Sequence, residues 1–160
     1  MAYPKHRNNF LALADTNYFD GTTFHRIVPN FVIQGGDPNS KDSIASNDGQ
    51  GGPDYTIPAE IIDTGKFKHT YGAIGAARTD NPEKASSGSQ FYIVIPKAGT
   101  PSLNGNYTVF GTVIKGMDVA EKIVAQPRDV NNRPKTNITM DVNVIEKTLD
   151  QLKTEFNFTP

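Results

Sequence analysis

Hydrophobic and polar positions alternate along several short segments of the chain, and most of these segments end at glycine, proline, asparagine or aspartate. A period of two in residues rich in Val, Ile, Phe and Tyr predicts half-buried β-strands. The predicted strands, one of them a run of small residues, cover 24–28, 31–34, 55–60, 71–77, 90–95, 108–114 and 138–145. The pattern therefore indicates a mainly β protein.

Three further segments carry apolar residues at the spacing of an α-helix. Residues 4–14 follow this spacing after a proline that suits the first turn. Residues 118–124 place Val119 and Ile123 on one face. Residues 148–151 resemble a capping box, and an apolar stripe follows them. We expect two short helices that cap the β-structure and a third helix at the C-terminus.

Chain length and strand length bound the fold. A chain of 160 residues fits one domain that can bury a core. Short strands with 14 Gly and 11 Pro fit a β-barrel or a β-sandwich, and we favour an antiparallel barrel because closure hides strand edges. Polar loops are predicted at 39–53, 78–89 and 96–107. We predict one domain over residues 1–147 and a helical extension over 148–160.

Composition and charge disfavour several function classes. The absence of cysteine removes disulfides, thiolate metal sites and cysteine nucleophiles. A formal net charge of -1 gives no electrostatic reason to expect nucleic acid or an acidic membrane as a partner. No apolar run approaches the length of a membrane span, and the polar first residues show no signal peptide. We expect a cytoplasmic protein, or a periplasmic one if an N-terminal segment is missing.

The histidines and one glycine-rich segment give no support to a metal or phosphate site. His6, His25 and His69 lack metal-ligand spacing and carboxylate-rich neighbours, so no metal or other cofactor is expected. His25 is interpreted as a core histidine whose ring nitrogens are satisfied. Residues 49–52 are glycine-rich, but no Lys-Ser/Thr follows them and no helix opens there, which argues against a phosphate loop.

Long polar side chains occur inside the most apolar predicted strands. Arg26 and Gln34 are two of them, and Gln90 shares a strand face with Tyr92. Two interpretations are open: these side chains face water, or they belong to a surface that is both apolar and hydrogen-bonding, as peptide recognition requires. Because these groups cannot easily move a proton or form a covalent intermediate, they fit peptide binding or catalysis by hydrogen bonds and shape.

Four segments resemble the signatures of one family, the cyclophilins, which are β-barrel peptidyl-prolyl cis–trans isomerases. The segments are 24–37, 88–93, 109–113 and 116–119. The resemblance extends over about residues 4–145, and the run at 84–89 is more similar to prokaryotic members. It implies a cyclophilin-like antiparallel barrel and isomerase activity on X-Pro bonds that needs no cofactor.

The resemblance also assigns a site by position. Arg26 would be the catalytic arginine, Gln34 would hydrogen-bond the substrate and brace Arg26, and Phe31 would line the proline pocket beside them. The other residues expected to contact substrate are Val32, Ala77, Arg78, Gln90, Tyr92, Leu103 and Tyr107. Of these, the backbone at 77–78 would bind the residues before proline, and Val32, Tyr92 and Leu103 would complete the pocket.

Three departures from the family modify these expectations. Ser102 falls where many members carry a tryptophan that contacts cyclosporin, so weak drug binding with retained activity is expected. Tyr107 replaces the usual histidine, and Tyr92 replaces the usual phenylalanine, which is a mild change. Family members generally have a β-hairpin before the first helix, and no strand pattern precedes residue 4. The chain is then a fragment, or its barrel is closed differently or left open.

Two functions of different classes follow from the sequence. The first is a monomeric isomerase that acts on proline-containing peptides and on unfolded or folding proteins. The second is a module that binds proline peptides, or acts as a chaperone, without useful catalysis. Arg26 and Gln34 favour the first, whereas the absent hairpin favours the second. A third option is a fragment that does not fold alone.

Overall fold

Short antiparallel strands and three helices make up the computed structural model, which describes residues 4–61, 65 and 67–159. The helices are α1 (Pro4–Asp15), α2 (Met117–Val124) and α3 (Leu149–Phe156). The strands are β1 (Thr22–Thr23), β2 (Arg26–Val28), β3 (Val32–Gly35), β4 (Thr56–Ile57), β5 (Ala73–Ala76), β6 (Ser86–Ser87), β7 (Phe91–Val94), β8 (Val109–Thr112) and β9 (Thr139–Met140). None of the helices in this described part is long and apolar enough to cross a membrane. Residues 1–3 of the predicted domain and residue 160 of the predicted extension lie outside the described residues.

Five strands form the central antiparallel sheet, in the order β2-β3-β7-β5-β8. Its register sets Arg26 opposite Gln34, Gln34 opposite Tyr92, and Tyr92 opposite Gly75. Directly opposed residues of antiparallel strands lie on the same face of a sheet. The polar side chains at 26 and 34 therefore share one face with Tyr92.

The opposite face of this sheet carries much of the core and receives two helices. Ile27 and Ile33 are fully buried there and pack with Ala120 and Val124 of α2. Helix α1 joins the same side through an aromatic cluster formed by Phe10, Phe19, Phe91 and Phe110. Fully burying one such large apolar side chain contributes about 1.5–3 kcal/mol. This face therefore anchors the sheet, and the other face is free to form a site.

Helix α1 begins at a cap contributed by a distant part of the chain. Pro4 suits its first turn because it has no N–H to leave unsatisfied. The Glu60 carboxylate accepts the backbone N–H of Lys5 at 3.2 Å and of His6 at 3.0 Å, and it contacts the His6 ring Nδ1 at 2.6 Å. Ring Nε2 of His6 bonds Ser86 Oγ at 3.1 Å. The buried His6 thus joins α1 to the ladder of β4 and β6.

The predicted barrel is corrected in one respect, because the sheet is not closed. Within residues 4–61, 65 and 67–159, β2 and β8 are the edges of the central sheet. The remaining strands form two separate ladders, β1 with β9 and β4 with β6. Each ladder pairs only two residues of each strand, which is too few to bridge β8 to β2 by hydrogen bonds.

Two predicted elements bury different side chains from those expected. The strand predicted at 138–145 is reduced to β9, and Val144, which period two places on its apolar face, is 36% exposed, because no strand within the described residues pairs with 141–148. In α2, Val119 is exposed and Ala120 packs in the core instead. A rotation of about 100° per residue explains this, since it places positions 117, 120 and 124 on one side of the helix.

The three predicted loops contain short ordered elements. They hold β6 and the 3-10 helices Pro38–Lys41, Ala45–Asn47 and Pro101–Leu103. The fully buried Asp37 carboxylate accepts the N–H of Asn39 at 2.8 Å and also the N–H of Gly49. This side chain therefore holds the ends of the loop that follows β3 close together.

The C-terminal helix has the capping box that the sequence predicts. Thr148 Oγ1 accepts the Gln151 N–H at 3.2 Å, and Gln151 Oε1 accepts the Thr148 N–H at 2.8 Å. Its apolar stripe is only partly covered. Leu149 is 45% exposed, whereas the ammonium groups of Lys115 and Lys147 lie over the Phe156 ring.

Candidate active site

The site face of the sheet carries a hollow of about 180 Å³. It is lined by Arg26, Phe31, Val32, Gln34, Ala77, Arg78, Tyr92, Leu103 and Tyr107. The structure therefore brings together nine of the ten residues that the sequence assigns to the site. The tenth, Gln90, lies in the neighbouring cavity of about 560 Å³, which shares Gln34, Ala77 and Arg78 with the hollow.

Aromatic and aliphatic side chains give the hollow its shape. Tyr92 and Val32 are buried and form the floor, and Tyr107 stands edge-on to Tyr92 with ring centroids 6.0 Å apart. Phe31 and Leu103 are partly buried and pack against the same cluster. A small apolar hollow with polar groups at one rim suits an aliphatic ring attached to a polar chain.

Arg26 stands at the rim of this hollow. Its guanidinium carbon lies 5.9 Å from the centroid of the Phe31 ring. Its NH1 donates to Gln34 Oε1 at 3.2 Å, and Gln34 Nε2 donates to Gln90 Oε1 at 3.1 Å. The guanidinium points into the hollow and not into the core, so Arg26 and Gln34 belong to a surface that is both apolar and hydrogen-bonding.

Gln90, Gln34 and Arg26 form a hydrogen-bond relay, and Gln90 fixes the direction of its hydrogen bonds. Its Nε2 donates to the backbone carbonyls of Gly49 at 3.0 Å and Gly51 at 2.8 Å. Since carbonyl oxygens can only accept, the amide nitrogen of Gln90 must face them and its oxygen must face Gln34. Gln34 then turns its nitrogen to Gln90 and its oxygen to Arg26. The relay therefore offers the guanidinium an acceptor.

The side chain of Arg78 is held in place by the loops around the hollow. Its Nε donates to the Asn106 carbonyl at 3.1 Å, and its guanidinium carbon lies 4.7 Å from the Tyr107 ring centroid. The backbone groups of Ala77 are engaged, since its N–H donates to Gln90 O and its carbonyl accepts from Ser87 N–H. Of the two residues predicted to offer backbone to a peptide, Arg78 is the better placed.

His25 lies beside Arg26 but differs from its prediction. It is buried as expected, at 6% exposure, yet its ring nitrogens are not satisfied. The backbone of Thr23 is close, but neither Nδ1 nor Nε2 has a hydrogen bond of normal geometry to any described group. Burial lowers the pKa of His25, so the ring is neutral and adds no second positive charge beside Arg26.

Two groups behind the floor were not recognised from the sequence as parts of the site. The Tyr92 hydroxyl bonds His69 Nε2 at 2.9 Å, and His69 Nδ1 bonds Asn104 Oδ1 at 2.9 Å. Both partners come from irregular segments, which give no periodic signal. Burial raises the pKa of Tyr92, so its phenol is not ionised at neutral pH. No cluster of three or more His, Asp or Glu able to hold a metal ion occurs among the residues that the structure describes.

Comparisons with known proteins agree with this geometry. A family model described as "Cyclophilin type peptidyl-prolyl cis-trans isomerase/CLD" matches residues 1–144. Peptidyl-prolyl cis-trans isomerase-like 1 of Neurospora crassa is 40% identical over 136 residues, which cover 84% of this chain and 77% of that protein. Peptidyl-prolyl cis-trans isomerase B of Bacillus subtilis is 43% identical over 115 residues, which cover 72% of this chain and 71% of the other.

A solved structure is similar over nearly the whole chain. It is a cyclophilin-type peptidyl-prolyl cis-trans isomerase of Cryptosporidium parvum, crystallised in the presence of the dipeptide Ala-Pro. Its TM-score is 0.76 at 31% sequence identity, with 91% of this chain and 87% of that chain covered. The family model, the relatives and the solved structure agree with one another: the chain belongs to the cyclophilin family, and it is a peptidyl-prolyl cis–trans isomerase.

Proposed function

We propose that Arg26 catalyses X-Pro isomerisation by donating a hydrogen bond to the proline nitrogen of a twisted peptide bond. Rotation about a peptide bond costs about 18–20 kcal/mol because amide resonance is lost. At the twisted midpoint the nitrogen becomes pyramidal and regains a lone pair. A donor aimed at that lone pair binds the twisted state better than either planar state, which is the condition for acceleration. The relay from Gln90 through Gln34 supports this role, since it holds the guanidinium at the rim.

The rate enhancement that Arg26 alone can supply is limited, so other parts of the site must lower the barrier further. A charge-assisted hydrogen bond contributes about 1.5–3 kcal/mol, which corresponds to roughly one to two decades of rate. The apolar floor and walls supply the remainder in this proposal. They hold the proline ring while the preceding carbonyl swings, and they exclude water, which favours the planar, polar amide.

The proposed substrates are proline-containing peptides and unfolded or folding proteins. The proline ring enters the hollow between Phe31, Tyr92 and Leu103, and the residues before proline run along the backbone of Arg78. Gln90 lies beside this path. An Ala-Pro dipeptide accompanies the similar Cryptosporidium parvum structure, which supports a substrate of this class.

Three further features are part of the proposal. Residues 1–147 form the isomerase domain and 148–160 a helical extension, because all ten site residues precede residue 148. The enzyme acts as a monomer, since one chain supplies the whole hollow. Cyclosporin binding is weak, because the exposed Ser102 presents no indole ring to the drug.

Exchange of an Ala-Pro or Gly-Pro peptide between its cis and trans forms, measured by NMR exchange spectroscopy, tests the role of Arg26. We expect wild type to accelerate exchange and Arg26→Ala to lower turnover by about tenfold or more, with peptide affinity changed much less. Arg128→Ala removes an exposed arginine outside the hollow and serves as the matched control.

The same experiment separates isomerase from binding module. Unchanged turnover in Arg26→Ala would rule out the role of this residue. Peptide binding by wild type without faster exchange would instead identify a proline-peptide binding module.

A further inference from the structure

Behind the hollow lies a chain of polar side chains that the proposed mechanism does not use. The Tyr92 hydroxyl hydrogen-bonds to His69 Nε2 at 2.9 Å. Asn104 Oδ1 lies 2.9 Å from both the backbone nitrogen and the ring Nδ1 of His69. His69 is 2% exposed and Tyr92 is 4% exposed, so these hydrogen bonds are shielded from water.

The position of each proton in this series of hydrogen bonds follows from the direction of the His69 backbone N–H and from the charge state of the His69 ring. The His69 backbone N–H can only donate, so the Asn104 atom that faces it is the carbonyl oxygen. That oxygen can only accept, so Nδ1 of His69 carries the ring proton. Because burial lowers the pKa of His69, the ring is neutral near pH 7 and Nε2 is an acceptor. The Tyr92 O–H therefore donates to Nε2 and points away from the hollow.

Gly75 provides the space that this arrangement needs. A Cβ atom at position 75 would lie 2.5 Å from both Cε2 and the hydroxyl oxygen of Tyr92. The phenol thus lies directly on the backbone of β5. Any larger residue at 75 would push the phenol away from His69.

The same histidine also holds one wall of the hollow. The Thr100 N–H donates to the His69 carbonyl at 2.7 Å. Asn104 directly follows the 3-10 helix Pro101–Leu103, whose last residue lines the hollow. The floor at Tyr92 is therefore attached to the ring of the buried His69, and the wall at Leu103 to its ring and backbone.

We propose that His69 and Asn104 are positioning residues of the isomerase, which hold the Tyr92 floor and the Leu103 wall at the spacing that a proline ring needs. The inference rests on the proposed function of the hollow. The proline ring packs on floor and wall in the planar and twisted states alike. A shifted floor and wall stay apolar and still exclude water, so that contribution to the rate is retained. Loss of position then weakens binding in both states, so KM should rise while kcat stays within about twofold.

Steady-state kinetics on the full chain test this role with three variants, His69→Leu, Tyr92→Phe and the double variant. Each single change leaves one buried polar atom without its partner, and we expect KM to rise about three- to tenfold. The double variant replaces both partners by apolar groups, so its KM should be no higher than that of the worse single variant. Arg26→Ala in the same assay should lower kcat instead.

The ring nitrogens of His69 provide a second readout. ¹⁵N NMR should report the Nδ1-protonated neutral ring in wild type. Gly75→Ala should change the Nε2 signal by moving the phenol, while His69 and Tyr92 both keep their side chains. If His69→Leu does not fold, Tyr92→Phe removes a single oxygen and still tests whether the hydrogen bond between Tyr92 and His69 affects KM.

Three results would overturn the inference: an Nε2-protonated ring, unchanged KM in both single variants, or KM increases that multiply in the double variant. Each is distinct from failure of the proposed function, which would appear as wild type that does not accelerate exchange.

Discussion

Gln90→Glu tests the hydrogen-bond relay that reaches Arg26 by changing one group. The amide nitrogen of Gln90 donates to the carbonyls of Gly49 at 3.0 Å and Gly51 at 2.8 Å, and in the variant an oxygen takes its place. Position 90 is 7% exposed, so the new carboxylate faces two acceptors with little water to screen it. Both hydrogen bonds are lost.

The loss of stability can be worked from these two contacts. Each neutral hydrogen bond contributes about 0.5–1.5 kcal/mol, and a buried group without a partner costs about 1–3 kcal/mol. We expect the free energy of unfolding to fall by about 2–4 kcal/mol at neutral pH. Gln90→Met is the matched control. It removes the same donor without adding a charge, so it should cost only the two neutral hydrogen bonds, about 1–3 kcal/mol, and less than Gln90→Glu.

Activity should fall in both variants. Gln90→Met has no oxygen to accept from Gln34, and in Gln90→Glu the two carbonyls repel the carboxylate from its place beside Gln34. Without Gln90 to hold it, Gln34 can rotate and Arg26 loses part of a charge-assisted hydrogen bond, which lowers kcat/KM by about tenfold. Urea denaturation gives the stabilities, and NMR exchange spectroscopy gives the turnover. A Gln90→Glu variant as stable and active as wild type at neutral pH would refute the assigned amide orientation, and with it the brace on Arg26.

Three other predictions concern pH, the drug and the last helix. Burial lowers the pKa of His6, His25 and His69, so below about pH 6.5 the unfolded chain binds protons that the folded chain does not. The free energy of unfolding should therefore drop by at most about 1.4 kcal/mol per histidine near pH 5.5. Equal urea midpoints at pH 7 and pH 5.5 would contradict this. Ser102→Trp should tighten cyclosporin binding by about tenfold in calorimetry while turnover stays within about twofold, and unchanged affinity would count against the proposed drug contact. Thr148→Ala removes the capping box and should destabilise α3 by about 1 kcal/mol, visible as less helical Cα shifts for 149–156, with turnover at the wild-type level.

Local periodicity grouped the side chains on each strand face, but the site itself was assigned by the family resemblance. Arg26 and Gln34 were expected among apolar neighbours, and antiparallel pairing then sets both on one face with Tyr92. Periodicity could not supply the contact of Gln90 with Gly49, because the two residues are 41 positions apart and the acceptor is backbone. The preference for a closed barrel was wrong, because β2 and β8 remain edges among the described residues, as in the open alternative that the sequence also allowed.

Tyr92 shows why a residue carried over from a family cannot be judged alone. As a replacement for phenylalanine it was expected to be a mild change, because the ring is kept. In the structure the added oxygen needs space at Gly75, an acceptor at His69, and Asn104 to hold that acceptor in the correct tautomer. Removing any one of these leaves a buried polar atom unpaired, at a cost of about 1–3 kcal/mol. In the proposed mechanism Arg26 needs only one brace at the rim, whereas the floor of the hollow works only as a matched set.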